Sequence, residues 1–289
     1  REYSSILDRY FEYDRELIQK LLKIRDKIGN SDDLLKYFEE IRDLEREITL
    51  FHVKAVDETI RIFDADIDLI GFHGQTIFHD SKKKISKQLG DGKLLSQLTK
   101  KKVVYNFRQN DLKNGGQGAP LAPIFHNALA NKMNKKFDLD FPINILNIGG
   151  ISNITSTVRW EELWHTNKIY AYDIGPGNCL IDEWIRKNSK NNYDNKGSIA
   201  RSGKVDKLIL NQALENFNHN SRYEKSLDVN DFDIFFAKGL SLENGAATIT
   251  DFTAKIISEG MNFIHGKNQL LNDKWLVCGG GRKNEYLLE

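Results

Sequence analysis

Residues 143–185 constrain this chain more than any other stretch. Two β-rich runs flank Gly149-Gly150, which is how a hairpin is written in sequence. A third run, 169–172, ends on Asp173 and breaks at Gly175-Pro176-Gly177. Leu180, Ile181, Trp184 and Ile185 then recur on one helical face. The unit reads strand, glycine turn, helix, with a carboxylate at the strand end. Backbone N–H groups at such a helix start, together with the helix dipole, attract anions. Glycines there let the main chain approach a phosphate closely. A carboxylate beside a phosphate cradle suggests a phosphotransferase with a general base. The plainer reading is a turn that only reverses an α/β unit, and one loop alone does not separate the two.

At 289 residues the chain can build two domains, each with its own core. A net charge of +1 gives no electrostatic case for nucleic acid or an acidic membrane as partner. No apolar run is long enough to span a bilayer. Two cysteines, Cys179 and Cys278, make no disulfide framework and no metal cluster, which points to a reducing, cytoplasmic setting. The chain opens on Arg1 rather than Met and closes inside a helical pattern at Glu289, so both ends are expected to be cut.

Residues 1–63 read as charged amphipathic helices with no assigned chemistry; Gly29-Asn30 stops the first and Ser31 caps the second. A hairpin is expected over 67–79, with His73, Gln75, Thr76 and His79 as a polar tip suited to a polar ligand or to structural hydrogen bonds. A strand over 103–107 ends on Arg108, with Asp111 and Gly115-Gly116-Gln117-Gly118 after it. Arg108 can fork onto a sugar hydroxyl pair or carboxylate, or pair with Asp111 and stiffen the glycine loop. Both readings stand. Pro123 opens a helix to about Met133, and the charged connector 132–140 places a domain boundary between 131 and 132. Residues 188–202 read as a surface loop, 205–217 as a helix, 231–240 as a short helix or strand, and 245–263 as a long helix. Trp275-Leu276-Val277-Cys278 then runs into Gly279-Gly280-Gly281 and a helix near Asn284, repeating the strand, glycine turn, helix logic.

Six motifs occur in order: His73-Gly74-Gln75-Thr76-Ile77, Phe107-Arg108 with Asp111, Gly115-Gly116-Gln117-Gly118-Ala119-Pro120-Leu121, Leu146-Asn147-Ile148-Gly149-Gly150-Ile151, Asp173-Ile174-Gly175-Pro176-Gly177-Asn178, and Cys278-Gly279-Gly280-Gly281. Together they resemble the anhydro-N-acetylmuramic acid kinases over residues 65–289. Lys225-Ser226 and the run Ala246-Ala247-Thr248-Ile249-Thr250 are similar to that pattern too.

The resemblance implies the two-lobed α/β fold of the sugar kinase, Hsp70 and actin superfamily, ribonuclease H-like, with ATP in the cleft between lobes. Residues 1–131 would be the sugar-binding lobe and 132–289 the lobe carrying the phosphate and adenosine loops. It implies an ATP-dependent kinase of peptidoglycan recycling that opens the 1,6-anhydro ring with water and phosphorylates the released 6-oxygen. Asp173 matches the water-activating aspartate, with Asp182 as its competitor in the next helix. Thr76 and Arg108, with His73 and Gln75, match the sugar side; Thr76 and Arg108, read as lying at strand ends, are expected to share a pocket with Asp173. Gly149, Gly150, Gly175, Gly177 and Asn178 match the phosphate loops, and Gly279, Gly280 and Gly281 the adenosine loop. Mg2+ would accompany ATP, and no other metal site is implied. The family's opening phosphate hairpin and its C-terminal part have no counterpart here. The first lobe is therefore expected to show an incomplete sheet, whose open edge admits a homodimer. Weak nucleotide binding and little turnover are expected of the 289 residues alone, and the alternative is a catalytically dead fragment or a non-catalytic sugar-binding module.

Overall fold

A computed structural model describes residues 5–63, 66–159, 161, 169–217, 227–268 and 275–289. It divides into two units, Arg1–Ala119 and Pro120–Glu289. The segment holding Lys225-Ser226 and most of the polar loop after Arg159 lie outside the described residues.

In the first unit, α1 (Arg15–Lys27) begins where the Asp14 carboxylate accepts the Leu17 amide at 2.8 Å. Leu17, Leu21 and Ile24 fall on its buried side. The next helix was expected to be capped by Ser31, but Asn30 and Asp33 do that work. Asn30 Oδ1 accepts from the Asp32 amide at 2.8 Å, and Asp33 Oδ2 from the Gly29 amide at 3.0 Å. One short turn, α2 (Asp33–Lys36), then leads into α3 (Phe38–Ile62). Ile41, Leu44 and Ile48 of α3 pack with α1 and with Ile77 and Leu89 in a single core.

The expected hairpin over 67–79 does not form. Strand β1 (Leu69–Phe72) pairs in parallel with β4 (Lys102–Tyr105), while β2 (Gln75–Asp80) pairs antiparallel with β3 (Ile85–Leu89). Ile77 and Leu89 lie in the same core cluster, and β2 folds forward across the lysine turn onto β3 rather than back onto β1. The parallel pair needs a crossover, and α4 (Gly92–Thr99) lies within it, capped by Asp91. Among the described residues each strand of that pair has one neighbour, and Leu69, Val104 and Tyr105 stay exposed. Helix α5 (Phe107–Lys113) comes after β4.

The second unit starts with α6 (Ala122–Phe137), whose second residue is Pro123. This helix runs straight through the expected boundary at 131/132, so residues 132–137 are helix rather than connector. Its hydrogen bonds tie it to the second unit: the Val158 amide donates to Asn127 Oδ1 at 2.8 Å, and Asn131 Nδ2 donates to the Val158 carbonyl at 2.9 Å. The division therefore falls earlier, before Pro120.

Four strands form its sheet in the order β7 (Tyr170–Pro176), β6 (Ile151–Ser156), β5 (Asn144–Ile148), β8 (Trp275–Cys278). Strands β5 and β6 make the expected hairpin, and β8 joins β5 in parallel. Leu146, Ile148, Ile154 and Ile174 enter the core with α7 (Asn178–Asn188), which buries Leu180, Ile181, Trp184 and Ile185 as the spacing predicts. The stretch read as a surface loop instead carries α8 (Ser198–Ser202), held by the buried Asp194 carboxylate, which accepts the Ile199 and Ala200 amides at 2.9 Å each. Helix α9 (Lys207–Asn216) starts on Asp206, and two 3-10 turns, Val229–Asp231 and Phe235–Ala237, replace the short element expected over 231–240. The long helix α10 (Leu242–Asn268) accepts the Trp184 indole N–H at its Leu242 carbonyl, at 2.9 Å. A final turn, α11 (Glu285–Leu288), is capped by Asn284.

Candidate active site

Three glycine loops of the second unit meet at one end of its sheet. The Gly177 amide donates to the Gly150 carbonyl at 2.8 Å, the Asn178 amide to Gly149 at 2.7 Å, and the Cys179 amide to Gly150 at 3.2 Å. Asn178 Nδ2 reaches the Ile148 carbonyl at 3.4 Å. Only glycine fits at two of these contacts. A Cβ on Gly177 would run into the Gly149 carbonyl oxygen, and one on Gly279, whose φ is +82°, into the Ile148 carbonyl oxygen. Gly281 packs on Ile148, and Gly280 lies beside Asn178. Gly175 closes the bulged end of β7 opposite Ser152. All eight expected nucleotide residues thus come together.

Their chemistry differs from the expectation in one respect. The amides of residues 177–179, which would face an anion at the start of α7, are spent on the hairpin carbonyls. This helix start locks two loops together and is not an open anion receptor at those positions.

Ser152 Oγ is fully buried in the same cluster and has no hydrogen-bond partner among the described residues. A buried hydroxyl without a partner carries a desolvation cost of about 1–3 kcal/mol. Ser152→Ala is expected to leave stability unchanged or raise it by about 1 kcal/mol, read from urea denaturation. A loss of stability would mean that the hydroxyl is bonded in solution.

Asp173 does not end its strand, because β7 continues through it to Pro176. Ser152 pairs with Gly175 and Asn153 with Asp173, so Ile174 is an extra residue and β7 bulges there. The Asp173 side chain is half-buried, and its Oδ2 accepts the Leu227 amide at 2.9 Å. Asp182 does not face open solvent either. It is half-buried on the second turn of α7, and burial pushes its carboxyl up to about 7; Arg186 opposes this rise and Asp194 adds to it. Burial also pushes the Cys179 thiol up to about 12 and raises that of Cys278, so both remain protonated near neutrality.

In the first unit, Arg108 sits in the first turn of α5 and not at a strand end. Its Nε donates to His73 Nε2 at 3.2 Å, and its Nη1 to the Gly118 carbonyl at 3.2 Å. Asp111 Oδ2 accepts the Gly118 amide at 2.7 Å. Arg108 and Asp111 therefore both grip the glycine loop through Gly118. With its Nε2 accepting, His73 carries its proton on Nδ1, which faces the Gly74 carbonyl at 3.0 Å. Thr76 and Gln75 lie on β2, where Thr76 Oγ1 accepts from Gln88 Nε2 at 3.4 Å. A cavity of about 250 Å³ lies elsewhere in this unit, lined by Arg42, Glu45, Asp91 and Leu94 among others, and includes none of these four residues.

Sequence reasoning named Asn147 only within a motif and passed over Asn153. Both lie inside strands, where asparagine is depleted. That mismatch, with their alternation onto one face, was the available signal.

The fold is that of a mixed α/β protein whose strand–glycine turn–helix units meet at one end of the second unit's sheet. The family model described as anhydro-N-acetylmuramic acid kinase matches residues 2–289. An anhydro-N-acetylmuramic acid kinase of Pelagibacter ubique is 50% identical over 290 residues, covering 99% of this chain and 75% of that protein. One of Methylobacterium nodulans is 37% identical over 282 residues, covering 96% and 71%. One of Brucella canis is 37% identical over 252 residues, covering 86% and 64%. The chain belongs to the anhydro-N-acetylmuramic acid kinase family. The match starts at residue 2, so the N-terminal helices, which the motif resemblance left out, fall within it.

Proposed function

We propose that this chain is an ATP-dependent kinase that opens 1,6-anhydro-N-acetylmuramic acid with water and delivers N-acetylmuramic acid 6-phosphate, in the cytoplasmic recycling of cell-wall fragments. The family match over residues 2–289 carries the reading. The finer fold assignment, a two-lobed ribonuclease H-like architecture of the sugar kinase, Hsp70 and actin type, belongs to the same proposal.

Asp173 takes a proton from water while the water oxygen bonds to the anomeric carbon. The bond from that carbon to the 6-oxygen breaks, and the freed electron pair attacks the γ-phosphorus. The phosphoryl–ADP bond then breaks, with its electrons leaving on ADP. The 6-oxygen needs no general acid, because the phosphoryl group takes the place of a proton. Thr76, Arg108, His73 and Gln75 hold the sugar. The glycine cluster, from Gly149 and Gly150 to Gly279–281, holds the nucleotide, its close-packed turns leaving no side chain between backbone and ligand. Among the described residues no group of three or more His, Cys, Asp or Glu could hold a metal ion. Mg2+, which neutralises phosphate charge, would enter with ATP and keep mostly phosphate and water ligands.

The test is sugar-dependent ADP release with mass analysis of the product. A product heavier than the substrate by the elements of one water and one phosphoryl group is expected. ADP release without that sugar phosphate would sink the proposal. No helix among the described residues is long and apolar enough to cross a membrane.

A further inference from the structure

The strand registers align four polar side chains in one row across the whole sheet of the second unit. Cys278 lies opposite Asn147, Asn147 opposite Asn153, and Asn153 opposite Asp173. Residues directly opposite one another point to the same face, with Cβ atoms about 4.5–5.5 Å apart. The next row on that face, Leu276, Ile145, Thr155 and Ala171, is covered at Thr155 by α6, whose His126 Nδ1 meets Thr155 Oγ1 at 2.9 Å. Beyond that cover the Asn row is half-buried and adjoins the glycine turns. At one end the Cys278 thiol donates to Asn147 Oδ1 at 3.6 Å. Among the described residues the Asn153 side chain makes no hydrogen bond, although it stands beside the carboxylate assigned as base.

We infer that Asn153 is a positioning residue for Asp173: its side chain, which no hydrogen bond among the described residues holds in place, stands opposite the carboxylate in the strand register, and a rotation brings its amide onto the carboxylate and its carbonyl onto the second hydrogen of the attacking water. The inference rests on the reading of Asp173 as the base. Strand β6 carries no ionisable residue, so Asn153 is its polar contribution next to Asp173. Among the described residues, other titratable groups nearby in the fold are Asp228, next to the Leu227 amide donor, and Cys278 at the far end of the row. Tyr172 precedes Asp173 but packs on the opposite face, against Phe263. Helix α10 also meets that opposite face, through Gly260 on Ile174. An amide donor stabilises the charged carboxylate, so its loss must raise the pH at which Asp173 takes up a proton.

The test does not need turnover. The 13C carboxyl signal of Asp173, assigned by its absence from Asp173→Asn, is titrated in the folded chain and in Asn153→Ala and Asn153→Asp. The second variant is nearly isosteric and guards against a folding artefact. Asn153→Ala should raise the midpoint by about half to one pH unit, and Asn153→Asp by more, since it adds a like charge. In kinetics, kcat should fall about tenfold or more, with KM for sugar and ATP within about threefold and the acid limb of the pH profile moved upward. An unchanged midpoint in both variants overturns the inference, as does a raised midpoint with unchanged kcat. Full turnover by Asp173→Asn would instead overturn the assignment of the base, a separate result.

Discussion

Asp173→Asn is expected to lower kcat by about a hundredfold to ten-thousandfold, the usual cost of losing a general base. The substitution keeps size and shape, and the asparagine Oδ1 can still accept the Leu227 amide that Asp173 Oδ2 accepts at 2.9 Å. What disappears is the capacity to take a proton from water. Sugar and ATP affinities should move by less than about threefold, because neither the His73–Arg108 contact nor the glycine cluster involves this carboxylate. The measurement is ADP release under saturating substrates, with circular dichroism to show an intact fold. A variant that retained more than about a fifth of the parent kcat would remove Asp173 from the role of base.

That assignment came from a motif, and its structural setting was only partly legible. The hairpin at Gly149-Gly150 and the buried face of α7 could be read directly, because turn chemistry and 3.6-residue spacing are local signals. What the sequence hid was pairing. Nothing local distinguishes a β1–β2 hairpin from the observed parallel β1–β4 and antiparallel β2–β3 pairs, since strand partners are chosen by distant apolar faces such as Ile77 with Leu89. The same limit applies at Asp173. A bulge at Ile174 leaves the carboxylate within the strand, opposite Asn153, where a run ending in glycines reads as a strand end. At the start of α7 the local reading was right about the element and incomplete about its chemistry. Glycine turns before a helix advertise free amides, but whether those amides face a ligand or another loop depends on what packs there. Here Gly149 and Gly150 claim them.

The role of Asp182 can be separated from that of Asp173 by stability as well as rate. Its carboxyl is pushed up to about 7 in the folded chain, chiefly by burial, with Asp194 adding to the rise and Arg186 opposing it. In the unfolded chain it titrates near the ordinary value of about 3.9. Between these two pH values the folded state holds a proton that the unfolded state has released. Stability is therefore greatest below about pH 4, falls as pH rises towards 7, and levels off above that. At about 1.4 kcal/mol for each tenfold change in proton affinity the full cost at pH 8 is bounded near 4 kcal/mol, and partial solvent access reduces it to about 2–4 kcal/mol. Asp182→Asn carries no such charge. The variant should match the parent chain at pH 4, exceed it by about 2–4 kcal/mol at pH 8, and show a flatter stability profile between them. Chemical denaturation at a series of pH values measures this. Identical slopes for variant and parent would show that Asp182 is ionised in the folded chain at neutral pH. If Asp182 serves only this buried corner, the variant also keeps most of the parent kcat, whereas a loss as deep as that of Asp173→Asn, with the fold intact, would make Asp182 part of the proton-transfer machinery.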